Sequence, residues 1–293
     1  MKVINLQKNI SFINYTTIKA GGYSEYFSEP KNITELINTI KWAKYKNIEC
    51  QIIGAGSNLL TKNAFLKGLT ICTKKIKGMK INPSTGFVEA ECGTMLPALS
   101  NLLAKNRCMG GEWIIGIPGT VGGAIFMNAG SGHFSISENL SSVKAIDKKT
   151  LKIIKLSKKD LIFNYRFSPF QNNNLIILSA SFSFQPDGDS KLIAAITRKN
   201  LNIKTKSQPY HMPSFGSVFK NPKNLFAGKL IEEIGLKGFK LGGAQVSTMH
   251  ANFIVNNSNA SSNDIYQLIT LIQQKVQQKK GIFLHPEVRM IGF

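Results

Sequence analysis

The sequence predicts an α+β fold with two lobes that meet near residue 190. Apolar runs and alternations typical of strands are mixed with stretches whose apolar residues recur at helical spacing, and no internal repeat orders them. The cluster Gln185-Pro-Asp-Gly-Asp189 is the clearest turn signal along the chain. With 293 residues, 43% hydrophobic and 18% charged, the chain can bury a core in one large or two medium domains, which excludes a disordered protein.

The first lobe is predicted to alternate helices and strands. Asn32 and Glu35 form a capping-box pattern that opens a helix running to about Tyr45. A second helix carries Leu96, Leu99, Leu102 and Leu103 and stops near Gly110-Gly111. The stretch from Gly116 to Gly132 is too rich in glycine for a regular element, so a loop is predicted there. Strands are predicted at Glu49–Ile53, Leu69–Thr73, Phe87–Cys92, Ser142–Asp147, Leu151–Leu156 and Leu175–Phe184.

The second lobe has fewer elements by the same criteria. Helices are predicted at Leu192–Ile203 and at Phe226–Ile234, the latter closed by Gly235. A strand follows at Ala251–Asn256, and a terminal strand at Val288–Ile291. Between them, one long amphipathic helix ends at Gly281 and buries Ile265, Leu268, Ile269, Ile272 and Val276.

The charge of the chain is strongly positive, with 37 Lys+Arg against 16 Asp+Glu and a formal net charge of +21. Only four of these cations are arginines, the residue that base readout and bidentate phosphate contacts favour. A solvated surface rich in lysine therefore explains the charge better than nucleic-acid binding, which stays the alternative. A positive field also helps to attract small ligands that carry phosphate.

Cysteine and histidine patterns give no sign of a metal site. Cys50, Cys72, Cys92 and Cys108 contain no Cys-x-x-Cys pair, so reduced thiols are predicted over a disulfide framework, and the four histidines are scattered. No apolar run is long enough to span a membrane, and the N-terminus lacks the pattern of a secretory signal. We therefore expect a cytoplasmic protein with no membrane insertion.

Two glycine-rich segments are the first candidates for ligand binding. Gly54-Ala-Gly-Ser-Asn58 follows a predicted strand, and its glycines would let backbone amides approach a phosphate, although Leu59 stands where a dinucleotide fingerprint has its third glycine. A plain tight turn explains it equally well. The segment from Gly116 to Gly130 holds five glycines and one proline, and it predicts a buried irregular backbone facing an anion or an aromatic heterocycle, or else a purely structural loop.

Three reactive side chains lie in short apolar contexts. Arg166 stands among aromatic residues, Ser217 follows a glycine, and Glu287 lies on the predicted terminal strand. Taken singly, each is more often a packed or surface residue than a catalyst. The sequence around Ser217 also lacks the Gly-x-Ser-x-Gly pattern of a nucleophile elbow.

Taken together and in order, seven segments resemble the UDP-N-acetylenolpyruvoylglucosamine reductase family over nearly the whole chain. The stretch of sequence between Ser217 and Glu287 is short, as in the shorter type of this family, which has no extra tyrosine-bearing loop. The segments are Thr17-Ile-Lys-Ala-Gly-Gly-Tyr, Gly54-Ala-Gly-Ser-Asn-Leu-Leu, Gly116-Ile-Pro-Gly-Thr-Val-Gly-Gly-Ala-Ile-Phe-Met-Asn-Ala-Gly, Tyr165-Arg-Phe-Ser, Gly216-Ser-Val-Phe-Lys-Asn-Pro, Gly242-Gly-Ala-Gln-Val-Ser-Thr-Met-His-Ala-Asn-Phe-Ile-Val-Asn and Pro286-Glu-Val-Arg.

The resemblance implies an FAD-binding region of the vanillyl-alcohol-oxidase (PCMH) type over residues 1–188, with two subdomains split near residue 75. It implies a substrate-binding domain over residues 189–293. The family uses NADPH and FAD to reduce the enolpyruvyl ether of UDP-N-acetylglucosamine to UDP-N-acetylmuramate, a cytoplasmic step of peptidoglycan synthesis. A different oxidoreductase on the same fold would keep the glycine segments but would lack Ser217, Asn221 and Glu287 in place.

Roles for individual residues are implied by the same resemblance. Ser217 would give a proton to the alpha carbon of the substrate, while Arg166 and a Glu287 that is protonated or shares a proton would stabilise negative charge on its carboxylate. Lys220 and Asn221 would lie near the substrate diphosphate. The residues expected at FAD are Gly54, Gly56, Ser57, Asn58, Leu59, Pro118, Gly119, Thr120, Gly123, Asn128 and Arg289.

Overall fold

The chain forms two compact units in a computed structural model that describes residues 5–293. Among these residues, unit 1 consists of the stretch that ends at Gln7, of Tyr26–Ala55 and of Gly68–Ile203. Unit 2 consists of Lys8–Glu25, Gly56–Lys67 and Lys204–Phe293. Both units contain helices and strands, which confirms the predicted α+β class.

Most elements are short strands. The helices are α1 (Ile33–Tyr45), α2 (Leu96–Lys105), α3 (Val121–Met127), α4 (Ser190–Ser207), α5 (Ala227–Glu233) and α6 (Ser262–Lys280). The strands are β1 (Gln7–Ser11), β2 (Tyr23–Ser28), β3 (Cys50–Ile53), β4 (Leu59–Thr61), β5 (Phe65–Cys72), β6 (Met79–Asn82), β7 (Phe87–Glu91), β8 (Gly130–Ser131), β9 (Phe134–Ser135), β10 (Leu140–Asp147), β11 (Ile153–Ser157), β12 (Leu175–Ser183), β13 (Ser214–Ser217), β14 (Lys240–Leu241), β15 (Ala244–Val246), β16 (Phe253–Asn256) and β17 (Arg289–Ile291).

The compact units differ from the contiguous division at residues 188 and 189 that the sequence suggested. Two early segments, 8–25 and 56–67, group with the C-terminal part of the chain. One physical reason is that β4 pairs in parallel with β17, so that Leu59 is opposite Arg289. A turn cluster such as 185–189 marks where the chain bends, but it carries no information on strand pairing between distant segments.

Unit 1 is built on an antiparallel sheet with the order β11-β10-β12-β7-β6. Its central strands are apolar on the buried face, where Val143 is opposite Ala180 and Ala180 is opposite Ala90. The pair β3 and β5 is parallel and belongs to a second sheet with the order β1-β2-β5-β3. The chain leaves β3 directly into Gly54, which puts the first glycine-rich segment at the carboxyl end of a parallel strand.

The helix α1 begins as the capping pattern predicts. Asn32 Oδ1 accepts a hydrogen bond from Glu35 N at 2.9 Å, and Glu35 Oε2 accepts one from Lys31 N at 2.8 Å. Asn32 thereby satisfies a backbone donor that the first turn of a helix leaves unpaired, whereas Glu35 binds the amide of the residue before the cap and not that of Asn32 itself. Leu36 and Ile40 are buried on the apolar face, so the predicted helix is confirmed with its bounds.

The predicted loop over 116–132 is wrong, because its centre is the helix α3. Thr120 is the N-cap, and its Oγ1 accepts a hydrogen bond from Gly123 N at 3.3 Å. Asn128 ends the helix in the left-handed conformation with φ of 44°. Val121, Ala124 and Ile125 are buried, and this burial outweighs the low helix propensity of the two glycines.

Unit 2 packs helices on an antiparallel sheet with the order β13-β16-β15-β14. The long helix α6 begins with a capping box, in which Ser261 Oγ accepts from Asp264 N at 3.1 Å and Asp264 Oδ2 accepts from Ser261 N at 2.9 Å. Gly281 ends it at φ of 69°. Its buried face is the predicted one, with Ile265, Leu268, Ile269, Ile272 and Val276.

Hydropathy adds one observation about the helices. Within residues 5–293, none of them combines the length and the apolar character that a membrane span requires.

Candidate active site

The two glycine-rich segments meet inside unit 1 at Gly54 and Thr120. A Cβ atom on Gly54 would lie 2.4 Å from Thr120 Oγ1, far inside van der Waals contact. Gly54 is therefore required because the backbone after β3 approaches the start of α3 too closely for any side chain. Gly56, at the start of a unit 2 segment, has φ of 67°, and a Cβ there would lie 1.9 Å from Tyr15 O.

The first amides of α3 are already engaged by protein acceptors. Val121 N donates to Thr94 O at 2.8 Å, and Gly122 N donates to Cys92 O at 2.8 Å. Gly119 O accepts from Leu96 N, so the turn before the helix is fixed as well. The expectation that this segment leaves its amides open to an anion is thus wrong at these positions, and its glycines serve close packing instead. Pro118 and Gly123 are exposed beside it.

Arg166 is held at the other end of α3. Its Nη2 donates to Gly130 O at 3.1 Å, and a Cβ on Gly130 would lie 3.2 Å from Arg166 Nη1. Arg166 has φ of 53°, a left-handed conformation that costs energy in a residue with a side chain. Two backbone hydrogen bonds between Asn164 and Phe167 close this tight turn. The guanidinium is thus anchored to the backbone at Gly130 through Nη2.

Asn128 connects the Arg166 turn to α3 and has an unused acceptor. Its Nδ2 donates to Asn164 O at 2.9 Å, whereas its Oδ1 is buried without a hydrogen-bond partner among the described residues. An unpartnered buried carbonyl is costly, and a ligand that carries an N–H or O–H group would satisfy it. FAD carries such groups on its isoalloxazine, ribityl and adenosine parts. The residues of unit 1 therefore fit the cofactor that the sequence predicts.

In unit 2, Ser217 and Glu287 lie on neighbouring backbone segments. Ser217 ends β13 beside Phe253 of β16 and follows Gly216, whose φ is 80°. The next residue, Val218, accepts hydrogen bonds through its carbonyl oxygen from Glu287 N at 2.7 Å and from Val288 N at 3.4 Å. Ser217 and Glu287 are both half-buried. Lys220 N donates to His285 O, which continues the pairing of the two segments. Ser217 and Glu287, which are 70 positions apart in the sequence, therefore lie on adjoining segments.

Asn58, Leu59 and Arg289 are brought to the same part of unit 2. Arg289 N donates to Asn58 O at 3.0 Å, and Asn58 Nδ2 donates to Glu287 O at 3.1 Å. Leu59 is buried opposite Arg289, whose side chain is exposed. Ser57 is half-buried immediately before them. The segment at Asn58 and the terminal strand are therefore one hydrogen-bonded assembly.

Asn221 has a structural contact that the sequence does not suggest. Its Oδ1 accepts a hydrogen bond from Ala227 N at 3.0 Å, which satisfies a free donor at the start of α5. The same amide group also carries a nitrogen donor, the type of group from which a phosphate oxygen accepts. Lys220 is half-buried one residue earlier and is a neighbour of Asn221 by chain connectivity.

Two residues in the quoted motifs position the Ser217 strand, although sequence reasoning assigns neither of them a role. Thr17 Oγ1 donates to Ser214 O at 2.6 Å, and Thr17 N donates to Gly56 O at 3.1 Å. Asn252 lies beside the chain just after Ser217 and is only 4% exposed. A buried amide side chain within the apolar stretch 251–255 was the available signal, because such groups need partners.

The cysteines are packed thiols. Burial raises the pKa of Cys92 to about 12 and also raises the pKa values of Cys50, Cys72 and Cys108. A thiol with a raised pKa holds little thiolate at neutral pH, so it is a weak nucleophile. No group of three or more His, Cys, Asp and Glu residues suited to a metal ion occurs among residues 5–293.

We expect replacement of all four cysteines by serine or alanine to leave turnover within a few-fold of the parent. The cost falls on stability, because three of the four thiols are buried in the core. Thermal unfolding and steady-state rates of the cysteine-free variant measure the two effects. A loss of turnover above about 100-fold in a folded variant that retains flavin would show that a thiol takes part in the chemistry.

Two family profiles match the chain. One is described as "UDP-N-acetylenolpyruvoylglucosamine reductase, C-terminal domain" and matches residues 208–291. The other is described as "FAD binding domain" and matches residues 24–157. The second range contains Gly54, Thr120 and Asn128, and the first contains Ser217 and Glu287. The predicted fold, an FAD-binding region followed by a C-terminal substrate lobe, is thereby confirmed.

Curated relatives and one solved structure agree with these profiles. UDP-N-acetylenolpyruvoylglucosamine reductase of Prochlorococcus marinus subsp. pastoris is 64% identical over 100% of this chain and 99% of its own length. The protein of the same name in Prochlorococcus marinus strain MIT 9313 is 46% identical over 100% of this chain and 95% of its own. The crystal structure of UDP-N-acetylenolpyruvylglucosamine reductase from Thermus caldophilus matches with a TM-score of 0.83 and 26% identity, covering 99% of this chain and 100% of that chain. This chain belongs to the UDP-N-acetylenolpyruvoylglucosamine reductase family.

Proposed function

We propose that the chain is an FAD-dependent reductase that uses NADPH to convert enolpyruvyl-UDP-N-acetylglucosamine to UDP-N-acetylmuramate for peptidoglycan synthesis. The observation that carries this proposal is the pairing in unit 2 of the Ser217 and Glu287 segments, in which Glu287 N donates to Val218 O at 2.7 Å. A hydroxyl and a carboxyl group on adjoining half-buried segments suit a proton transfer to carbon. The family to which the chain belongs supports the identity of the substrate.

The residues that would hold FAD come from both glycine-rich segments and from the terminal strand β17. In unit 1, Gly54 and Thr120 provide a closely packed backbone, and Asn128 provides a buried acceptor. In unit 2, Asn58 and Arg289 form the hydrogen-bonded assembly with the terminal strand, and the Arg289 side chain supplies a positive charge. When bound, FAD supplies the two-electron reduction of the substrate double bond.

Arg166 and Glu287 are proposed to stabilise the substrate carboxylate as negative charge grows on it. Arg166 can do so because its guanidinium is a permanent cation and is held by Gly130 O. Glu287 would donate a hydrogen bond from a protonated carboxyl group. A fixed donor costs no reorganisation during the reaction, which is the advantage of a strained and well-anchored arginine.

Ser217 is proposed to give its hydroxyl proton to the alpha carbon of the substrate. A serine hydroxyl is a poor acid in water, so the alkoxide left behind must regain a proton from solvent or a neighbour. The half-buried position at the end of β13 is compatible with both a substrate contact and access to solvent. The new C–H bond at this carbon completes the lactyl ether.

The diphosphate of the substrate and the choice of NADPH are the remaining parts of the proposal. Lys220 would bind a phosphate oxygen through its ammonium group, and Asn221 through its amide nitrogen, because Asn221 Oδ1 accepts from Ala227 N. The formal net charge of +21 supports ligands that carry several phosphates, which NADPH and the UDP-sugar both do. We place this step in the cytoplasm, where nucleotide sugars and NADPH are made.

The proposed activity has a direct spectroscopic test. The purified protein is expected to show the visible absorbance of oxidised flavin and to lose it when NADPH is added without oxygen. Addition of the enolpyruvyl UDP-sugar should then restore the absorbance, whereas UDP-N-acetylglucosamine, which lacks the double bond, should not. A colourless protein that takes up no added FAD, or a reduced protein that the enolpyruvyl sugar leaves unchanged, would contradict the proposal.

A further inference from the structure

Ser217 lies at an irregular point of its sheet. The strand β13 pairs with β16 at Ser214 and again at Ser217, and the register shifts between these two positions. Gly216, with φ of 80°, takes up the irregularity. A shifted register leaves part of the ladder without regular hydrogen bonds, so the place of Ser217 must be fixed by other contacts.

The contacts that fix the following residues come from Asn252. Val218 N donates to Asn252 O at 2.9 Å, and Phe219 N donates to Asn252 Oδ1 at 3.0 Å. Asn252 Nδ2 in turn donates to Phe219 O at 2.8 Å. A side-chain amide thus pairs with both polar groups of Phe219 as a peptide of a neighbouring strand would, and it does so with 4% of Asn252 exposed.

The opposite edge of the same backbone pairs with Glu287. Val218 O accepts from Glu287 N at 2.7 Å, so Val218 is held between Asn252 on one side and Glu287 on the other. Any displacement of residues 218 and 219 would therefore change the place of Ser217 relative to Glu287. Displacements of about 1 Å are enough to slow an enzyme by up to about 100-fold.

His250 holds the backbone of Asn252. Its Nδ1 accepts a hydrogen bond from Asn252 N at 3.2 Å, and its ring is packed edge-on against Phe253 with 4.9 Å between centroids. Burial lowers the pKa of His250, which favours the neutral ring that an accepting Nδ1 needs. The histidine thereby supports the backbone that carries the Asn252 side chain.

We propose that Asn252 is a positioning residue of the reductase, which sets the place of the Ser217 hydroxyl relative to Glu287 through the backbone of Val218 and Phe219. This inference rests on the proposed function, because it takes Ser217 as the proton donor. Asn252 does not itself touch substrate in this proposal. Its contribution is to the geometry of the proton transfer and not to flavin binding.

The test compares Asn252→Ala with a matched control, Asn256→Ala. Asn256 is the last residue of β16, the strand that begins just after Asn252, and its side chain also binds backbone, with Nδ2 donating to Ile18 O at 3.0 Å and Oδ1 accepting from Ala260 N at 2.7 Å. Asn252→Ala removes two hydrogen bonds to backbone, and Asn256→Ala removes three, because Asn256 Nδ2 also donates to Lys19 O at 3.3 Å. Only Asn252 contacts the segment that follows Ser217.

In stopped-flow measurements on the flavin-loaded enzyme, Asn252→Ala should slow oxidation by the enolpyruvyl substrate by at least about tenfold. Reduction by NADPH should stay within about twofold of the parent, and Asn256→Ala should leave both half-reactions within about threefold. Equal slowing of both half-reactions by Asn252→Ala, no slowing at all, or the same split in Asn256→Ala would overturn the proposal.

Hydrogen exchange of the backbone gives a second readout that needs neither substrate nor turnover. In the parent protein, the amides of Val218 and Phe219 should be protected, and in Asn252→Ala they should exchange at least about tenfold faster. Rapid exchange of both amides in the parent would overturn the proposal even if the variant does not fold. Failure of Ser217→Ala to slow the substrate half-reaction, with the exchange result intact, would instead refute the role given to Ser217.

Discussion

Replacement of Ser217 by alanine should slow oxidation of the reduced enzyme by the enolpyruvyl substrate by at least about 100-fold, the usual contribution of a positioned general acid. Reduction by NADPH should proceed near the parent rate, because that half-reaction delivers no proton to the substrate carbon. The fold should survive, since the contacts around this residue are made by backbone atoms, with Val218 N donating to Asn252 O at 2.9 Å. Stopped-flow recording of flavin absorbance follows each half-reaction separately.

The matched control is Ser214→Ala, which also removes a serine hydroxyl, at the other end of the same strand β13. Ser214 is half-buried like Ser217, and its carbonyl accepts from Thr17, a contact that the substitution keeps. Both half-reactions of this variant should match the parent. Equal slowing of both half-reactions by Ser217→Ala would mean that the serine supports the flavin site, and an unchanged substrate half-reaction would mean that the proton comes from another group.

Glu287→Gln extends this expectation to the second residue of the pair. An amide keeps a hydrogen-bond donor but cannot hold or release a proton at neutral pH. The same split between half-reactions is therefore expected if the carboxyl group manages a proton. A variant with parental rates would show that Glu287 acts only through its backbone, which holds Val218 O.

Gly54→Ala should weaken FAD binding by at least about tenfold, since overpacking of a rigid site costs about 1–3 kcal/mol. The added methyl group would lie 2.4 Å from Thr120 Oγ1, and neither the end of β3 nor the capped start of α3 has room to move without loss of hydrogen bonds. Titration of the flavin-free protein with FAD, followed by flavin fluorescence, measures the affinity. Circular dichroism before titration establishes that the variant is folded.

Thr120→Ala identifies the cause of this loss. In the Gly54→Ala background it removes Oγ1 and leaves the Cβ of residue 120, which lies 3.5 Å from the position of the added methyl group and makes an ordinary contact with it. The double variant should therefore bind FAD more tightly than the two single losses predict when added. Additive losses would show that the contact between Gly54 and Thr120 does not limit the site.

Local signals in the sequence were sufficient for the long helices. Asn32 and Glu35 predicted the start of α1, and Gly281 the end of α6, because a helix terminus leaves backbone groups that only nearby side chains or a left-handed residue can satisfy. These groups lie within four residues of the terminus. A single sequence contains all the information that such a decision needs.

Non-local pairing and some short elements could not be predicted in this way. The terminal strand predicted at Val288–Ile291 is confirmed as β17, but its parallel pairing with β4 was not predicted, and the three-residue β4 has no alternation to recognise. The helix α3 contains two adjacent glycines, a pattern that predicts a loop, because its stability comes from the burial of Val121 and Ile125. Tertiary packing decided both cases.

The candidate site shows the same division. Arg166, Ser217 and Glu287 could be named by resemblance to the family, whereas the left-handed turn that holds Arg166 and the backbone clamp of Asn252 depend on folded geometry. A buried polar residue in an apolar stretch is a usable signal that a partner exists. The sequence does not say which partner it is.

Unit 2 is made of three separate segments of the chain, and this affects when it can fold during synthesis on the ribosome. Residues 8–25 and 56–67 leave the ribosome early, but their partners in unit 2 begin only at Lys204. The contact between Asn58 and Glu287 closes a loop of 229 residues. This contact therefore forms slowly, and only after most of the described chain has been made. All segments of unit 1 have been made once Ile203 is added, so its folding does not require the residues from Lys204 onward. A nascent chain that stops before Arg289 would thus contain all of unit 1 and still lack the strand that pairs with β4, so the second unit can close only after residues 289–291 have been made.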